Sequence, residues 1–198
     1  QIIGKIYDLP IIAAGDMLRE AASKDTVNGK IAKRKMNKGE LVPDEIVIEI
    51  MEERLSKPDV KNGFVLDGFP RSLRQAIALD RILKGQGTDI DFVLTVTARP
   101  ETIVNRLSLR RICHDCGAVY HLKDKPPEEK GICDECGGEL IQRQDDKEEI
   151  IKHRFEVYEM KTFPIIERYA SAGKLREISG ELEISKIQDA IEDILGYP

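Results

Sequence analysis

The sequence predicts an α/β fold in which a parallel sheet is flanked by helices and interrupted once by a small metal-stapled insertion. Short apolar runs at residues 11–12, 63–67, 92–96 and 175–178 alternate with stretches whose apolar side chains recur at helical spacing, as in successive strand–helix units. Four cysteines form two C-x-x-C pairs, Cys113 with Cys116 and Cys133 with Cys136, separated by sixteen residues. The length of 198 residues, 41% hydrophobic and 34% charged, suits one α/β domain carrying an insertion.

Along the chain, residues 1–7 read as the second half of an amphipathic helix without an N-cap. Asp8-Leu-Pro then breaks the helix ahead of a buried strand near Ile11 and Ile12. Gly15-Asp16 opens a helix through Leu18, Ala21 and Ala22, with Arg19 on its first turn. A further helix over 27–37 stops at Gly39 in the C-cap position. Pro43-Asp44-Glu45 is a helix start, with proline and acids where the macrodipole favours them, followed by Ile46, Ile50, Met51 and Leu55 at helical period. The run 63–67 ends on Asp67. A strand buried on both faces would deliver that carboxylate to the C-terminal edge of the sheet, where sites form. A helix over 72–83, a strand over 92–96 and a helix over 101–109 continue the alternation. From about 110 to 146 the pattern breaks into the cysteines, Pro126-Pro127 and short β-like runs. A long helix over 148–171 containing Pro164, a strand over 175–178 and a helix over 185–195 finish the chain.

Each C-x-x-C turn aims two thiolates at one point, so the four cysteines read as a closed tetrahedral zinc site that holds structure and leaves no open coordination position for chemistry. Two disulfides or a redox dithiol are the other readings. No signal peptide is visible, the chain is long enough to bury a core without staples, and a redox dithiol needs one pair rather than two. The net charge of −5 argues against a general nucleic-acid binder. Without a run of about 18 apolar residues or a lipidation signal, a cytoplasmic protein is expected.

Arginines recur at the turns: Arg19, Arg71, Arg106, Arg110, Arg143 and Arg154. Converging on one cleft they would hold polyphosphate, because the guanidinium fork binds phosphate oxygens bidentately and stays charged. Scattered, they would be ordinary surface ion pairs.

G-D-M-L-R (15–19), G-E-L-V-P-D-E (39–45), G-F-V-L-D-G-F-P-R (63–71), Gln75, R-x-x-x-R-R (106–111), V-Y-H (119–121), R-Q-D-D (143–146) and Arg154 together resemble adenylate kinase in its long-lid, zinc-bearing form. The resemblance implies the nucleoside monophosphate kinase fold of the P-loop class and transfer of the γ-phosphoryl group of Mg-ATP to AMP, giving two ADP. It implies a core of residues 1–12, 43–109 and 147–198, an AMP flap over 13–42 and a zinc lid over 110–146. On the AMP side it implies Ala14, Arg19, Val42, Gly68, Arg71, Gln75, Arg143 and Arg154, with Gln75 and the main chain near Gly68 and Val42 reading the adenine. For ATP it implies Arg106, Arg110, Val119, Tyr120 and Leu182, and for the Mg²⁺ water shell Asp67. Asp145 and Asp146 would orient lid arginines, and the protein would be a monomer.

The sequence departs from the family pattern in two places. No G-x-x-x-x-G-K phosphate loop occurs in it. By the resemblance Gln1 falls just past that loop, so an N-terminally truncated chain is expected, without the central first strand and poor at phosphate transfer by itself. Ala14 stands where the family usually has Thr and pyrimidine kinases commonly have Ala. UMP/CMP-type kinase, an inactive AMP-binding remnant and a zinc-ribbon binding module are the alternative readings.

Overall fold

A computed structural model describes residues 2–196, so Gln1 lies outside the described residues. Helix α1 (Ile2–Ile6) leads into strand β1 (Ile11–Ala13), followed by α2 (Ala14–Ser23) and α3 (Val27–Asn37). Thr26 caps α3 by accepting the Gly29 N–H at 3.0 Å. Helix α4 (Asp44–Leu55), strand β2 (Val65–Asp67) and helix α5 (Leu73–Gly85) come next; Ser72 caps α5 through the Gln75 N–H at 3.1 Å. Strand β3 (Val93–Thr97) and helix α6 (Pro100–Ser108) precede the insertion.

The insertion is a three-stranded antiparallel sheet in which β4 (Arg110–Cys113) is central, between β5 (Val119–His121) and β6 (Leu140–Ile141). Helices α7 (Glu148–Val157) and α8 (Phe163–Ser171), strand β7 (Leu175–Ser179) and helix α9 (Ile184–Leu195) complete the chain.

Two expectations are corrected. Among the described residues the parallel strands lie in two two-stranded sheets, β1 with β2 and β3 with β7. Consequently the 63–67 run is not buried on both faces. Val65 and Leu66 are half-buried and Asp67 is exposed, because a two-stranded ladder leaves free edges that a wider sheet would cover.

The single long helix expected over 148–171 is interrupted by a π-turn at Tyr158–Thr162, where the Phe163 N–H reaches back five residues to the Tyr158 carbonyl. Pro164 has no N–H to offer the preceding turn, and a shift of register beside it lets α8 resume.

The main core lies between β1–β2 and helices α2 to α5. Ile12, Met51, Leu55, Leu79 and Leu83 are essentially inaccessible there, with Ala32, Val42, Val47 and Phe69 packed around them. Burying each large aliphatic side chain contributes about 1.5–3 kcal/mol. That makes this layer the rigid floor of the cleft above it.

Candidate functional site

A cleft of about 120 Å³, open to solvent, lies above the C-terminal ends of β1 and β2. Leu18, Met36, Val42 and Val47 line it with apolar side chains, and Arg19, Arg71, Arg154 and Asp145 line it with charged ones. Two glycines allow the close approach. Gly68 has φ +72°, and a Cβ there would meet the Arg71 Nη2 at 3.0 Å. Gly39, also at φ +72°, lies against the Arg154 Cγ, which a Cβ would meet at 3.0 Å.

The D-G-F-P-R turn places Arg71. Its Phe69–Pro70 peptide is cis; the Arg71 Nε donates to the Gly68 carbonyl at 3.0 Å, and the Arg71 carbonyl accepts from Thr162 Oγ1 at 3.0 Å. Arg19, in the second turn of α2 rather than the first, donates to Asp16 Oδ1 at 2.6 Å, and Arg143 lies 4.0 Å from the same carboxylate. Arg154 donates to the Asp145 carbonyl at 3.2 Å, with the Asp145 carboxylate 3.7 Å away.

At the root of the insertion Arg110 forms a two-pronged pair with Asp146, Nε to Oδ2 at 2.9 Å and Nη2 to Oδ1. Asp146 is wholly buried. Asp146 thus holds the lid arginine Arg110, whereas Asp145 lies beside Arg154 of α7, outside the lid.

Positive charge is crowded here. Burial first, then the Arg154 and Arg19 cations, lowers the Arg71 pKa, with Asp67 and Asp145 acting against them. Arg71 remains open to water at the cleft mouth, so the lowering reflects the density of protein around an accessible group. Arg143 is lowered for the same reasons, by burial and by Arg19 and Arg110. These arginines resist one another and are only partly compensated, and an anion of charge −2 entering the cleft relieves that repulsion.

Gln75 is 2% exposed and reaches the cleft from α5. Its Nε2 donates to Asp44 Oδ1 at 2.7 Å and its Oε1 accepts the Arg71 N–H at 2.7 Å. Ala14 is buried at the cleft floor and offers no polar atom.

The six arginines do not all meet. Arg106 donates through Nη1 to the Gly180 carbonyl at 2.7 Å, beside the turn that carries Leu182. It belongs to the C-terminal ends of β3 and β7, because α6 projects it toward that turn. The Tyr120 side chain is 2% exposed and packs with the cysteines, while Val119 faces outward at 48%. Alternation along β5 turns one residue out and the next in, leaving only the Tyr120 main chain for a nucleotide.

Leu18, Met36, Val47, Tyr158 and Thr162 line the cleft without having been singled out from sequence. The first three read as helix core and the last two sit on the π-turn, which helical periodicity conceals. Asp44 was legible only as a helix start.

In the insertion the four Sγ atoms lie within 4.8 Å of one another, with Cys113 to Cys136 at 3.4 Å and Cys116 to Cys133 at 3.6 Å. A zinc ion with four bonds of about 2.3 Å needs tetrahedral sulfur–sulfur edges of about 3.8 Å. The cluster fits zinc, and zinc there is structural. The thiols favour different charge states: beside the Tyr120 hydroxyl, 3.4 Å away, Cys133 falls to about 6. Cys116 is pushed up to about 12, the Ala118 backbone N–H being outweighed by its hydrogen bond with Cys136 and by burial. A divalent cation supplies the charge that four adjacent thiolates require.

The adenylate kinase family model matches residues 1–174. A protein of Archaeoglobus fulgidus named adenylate kinase is 51% identical over 193 residues, 98% of this chain and 89% of its own length. An adenylate kinase of Caldicellulosiruptor bescii is 50% identical, covering 99% of this chain and 91% of its own length, and one of Bacillus cytotoxicus is 46% identical, covering 99% and 90%.

Proposed function

This chain belongs to the adenylate kinase family, whose reaction is reversible transfer of the γ-phosphoryl group of Mg-ATP to AMP, giving two ADP, and from that premise we propose that the cleft beneath the 13–42 flap is its AMP site. One observation carries the assignment. Mutually repelling guanidiniums, apolar side chains and a fixed amide line one cleft, which matches a phosphate joined to an aromatic base.

Arg19 and Arg71 hold the AMP phosphate, with Arg143 and Arg154 positioned to share it with the group in transit. Val42, Gly68 and Gln75 face the adenine, and Ala14 closes the floor. Arg106, Arg110, Val119 and the main chains of Tyr120 and Leu182 take the ATP side. Magnesium accompanies ATP and neutralises its phosphates, with Asp67 supporting the water shell.

The acceptor oxygen is already anionic, so the residues need no strong base. They align the two phosphates, neutralise charge as it spreads in the transition state and exclude water. Domains follow the same reading, with the flap over 13–42 closing on AMP, the zinc lid over 110–146 closing on ATP, and residues 1–12, 43–109 and 147–198 as core. Its partners are the nucleotides, the acting species is a monomer, and the compartment is the cytoplasm. Among the described residues no helix is long and apolar enough to cross a membrane.

Calorimetric titration with AMP, followed by an assay of ADP formation from Mg-ATP and AMP, tests the reading. Saturable 1:1 binding of AMP, weakened by Arg71→Ala, is expected. No AMP binding overturns the assignment, and AMP binding without ADP formation favours an AMP-binding remnant.

A further inference from the structure

Asp44 is the first residue of α4, and one of its oxygens serves two donors on α5: Ser72 Oγ at 2.9 Å and Gln75 Nε2 at 2.7 Å. The Gln75 Oε1 takes the Arg71 N–H at 2.7 Å. An ionised carboxylate only accepts hydrogen bonds, and a backbone N–H only donates. The amide of Gln75 is therefore clamped between an acceptor at its nitrogen and a donor at its oxygen. Turning it over would set oxygen against oxygen and N–H against N–H.

We propose that Asp44 is a positioning residue that fixes the orientation of the Gln75 amide and so makes the acceptor site select a 6-amino purine over a 6-oxo purine. The proposal rests on the reading of the cleft as the AMP site. Gln75 keeps one N–H and one oxygen lone pair beyond its two internal bonds, and it lines the cleft. That pair complements the adenine edge: the oxygen accepts from the 6-amino group and the N–H donates to N1. Hypoxanthine reverses both, since its O6 accepts and its N1 carries hydrogen. Facing the clamped amide, the 6-oxo base either leaves buried polar groups unmatched or forces the amide over against Asp44 and Arg71. At 2% exposure water offers little compensation.

Asp44 also belongs to the first turn of α4 and anchors Ser72, the cap of α5. A residue serving only those ends would, when replaced, weaken every acceptor equally. The discriminating quantity is the ratio of affinities for AMP and for inosine 5′-monophosphate, measured by calorimetry on the full chain and on its Asp44→Ala and Asp44→Asn variants.

With the charged acceptor removed, the ratio should fall about tenfold in Asp44→Ala. In Asp44→Asn, whose neutral oxygen still accepts but less strongly, it should fall about three- to fivefold. A ratio within about twofold of the unaltered chain in both variants, whatever happens to AMP affinity itself, overturns the proposal. Should Asp44→Ala not fold, Asp44→Asn decides by the same criterion. Failure of the unaltered chain to bind AMP overturns the site assignment and this inference together, whereas AMP binding with an unchanged ratio overturns the inference alone.

Discussion

The floor of the arginine cleft stands on a contiguous apolar core running from Ile12 through Met51 and Leu79 to Leu83, whereas the core cluster of the insertion consists of Cys113, Tyr120, Cys133 and Leu140, with Ala118 packed against them. Two of those four buried residues are themselves metal ligands. The cleft is therefore shaped by burial of hydrocarbon, which is distributed and tolerant of small losses, and the lid by one ion, which is concentrated and all-or-none. A covering element can order and reorder around a metal without disturbing the floor beneath it.

Removing the metal should break that comparison most sharply. Chelation, or Cys133→Ser, forfeits a contribution on the order of 10 kcal/mol to local folding. Limited proteolysis should then cut freely between residues 110 and 146 while AMP affinity changes only a few-fold. Equal loss of both would show that the two regions fold as one.

Next in size is the joint between them. Asp146→Ala leaves the partly buried Arg110 guanidinium without its carboxylate, a loss of about 2–3 kcal/mol in denaturant unfolding, below the range for a fully buried pair because Arg110 keeps some contact with water. Adding Arg110→Met should recover most of it, because the unpaired charge is the source of the penalty.

On the cleft side, Arg71→Ala should weaken AMP binding by roughly a hundredfold, the loss of charge-assisted contacts to phosphate, and leave metal content unchanged. Calorimetry with parallel metal analysis checks both halves of that statement.

The smallest effect is at the cleft rim. A hydrogen bond from Lys35 holds the Glu40 carboxyl below its usual value of 4.5. Because the folded-state pKa is depressed, the stabilisation is present above the unfolded value and is lost as pH falls through the folded one. In Lys35→Gln the Glu40 titration followed by NMR should move upward toward the ordinary range, with no change at the lid.

Helix limits were legible where the signal is local: the helix over 27–37 keeps both its ends, with Gly39 at positive φ just beyond it. The metal ligands were equally legible, because a C-x-x-C turn is a short-range geometry. The cleft was legible through its charged members and obscure in its apolar ones, since Leu18 and Met36 carry the same periodicity whether they face a core or a ligand. The π-turn at Tyr158–Thr162 was not legible at all, since periodicity marks which face is apolar and does not register one inserted residue.

By itself, then, the sequence determined the alternation of strands and helices, the four thiolates and the set of arginines, all features written in neighbouring residues. Only the tertiary structure decided that Tyr120 turns inward, that Arg106 serves Gly180 instead of the cleft, and that Asp44 meets Gln75 across thirty-one positions. Each depends on which distant segments the apolar core brings together, and a hydrogen bond between two helices has no signature in either helix alone.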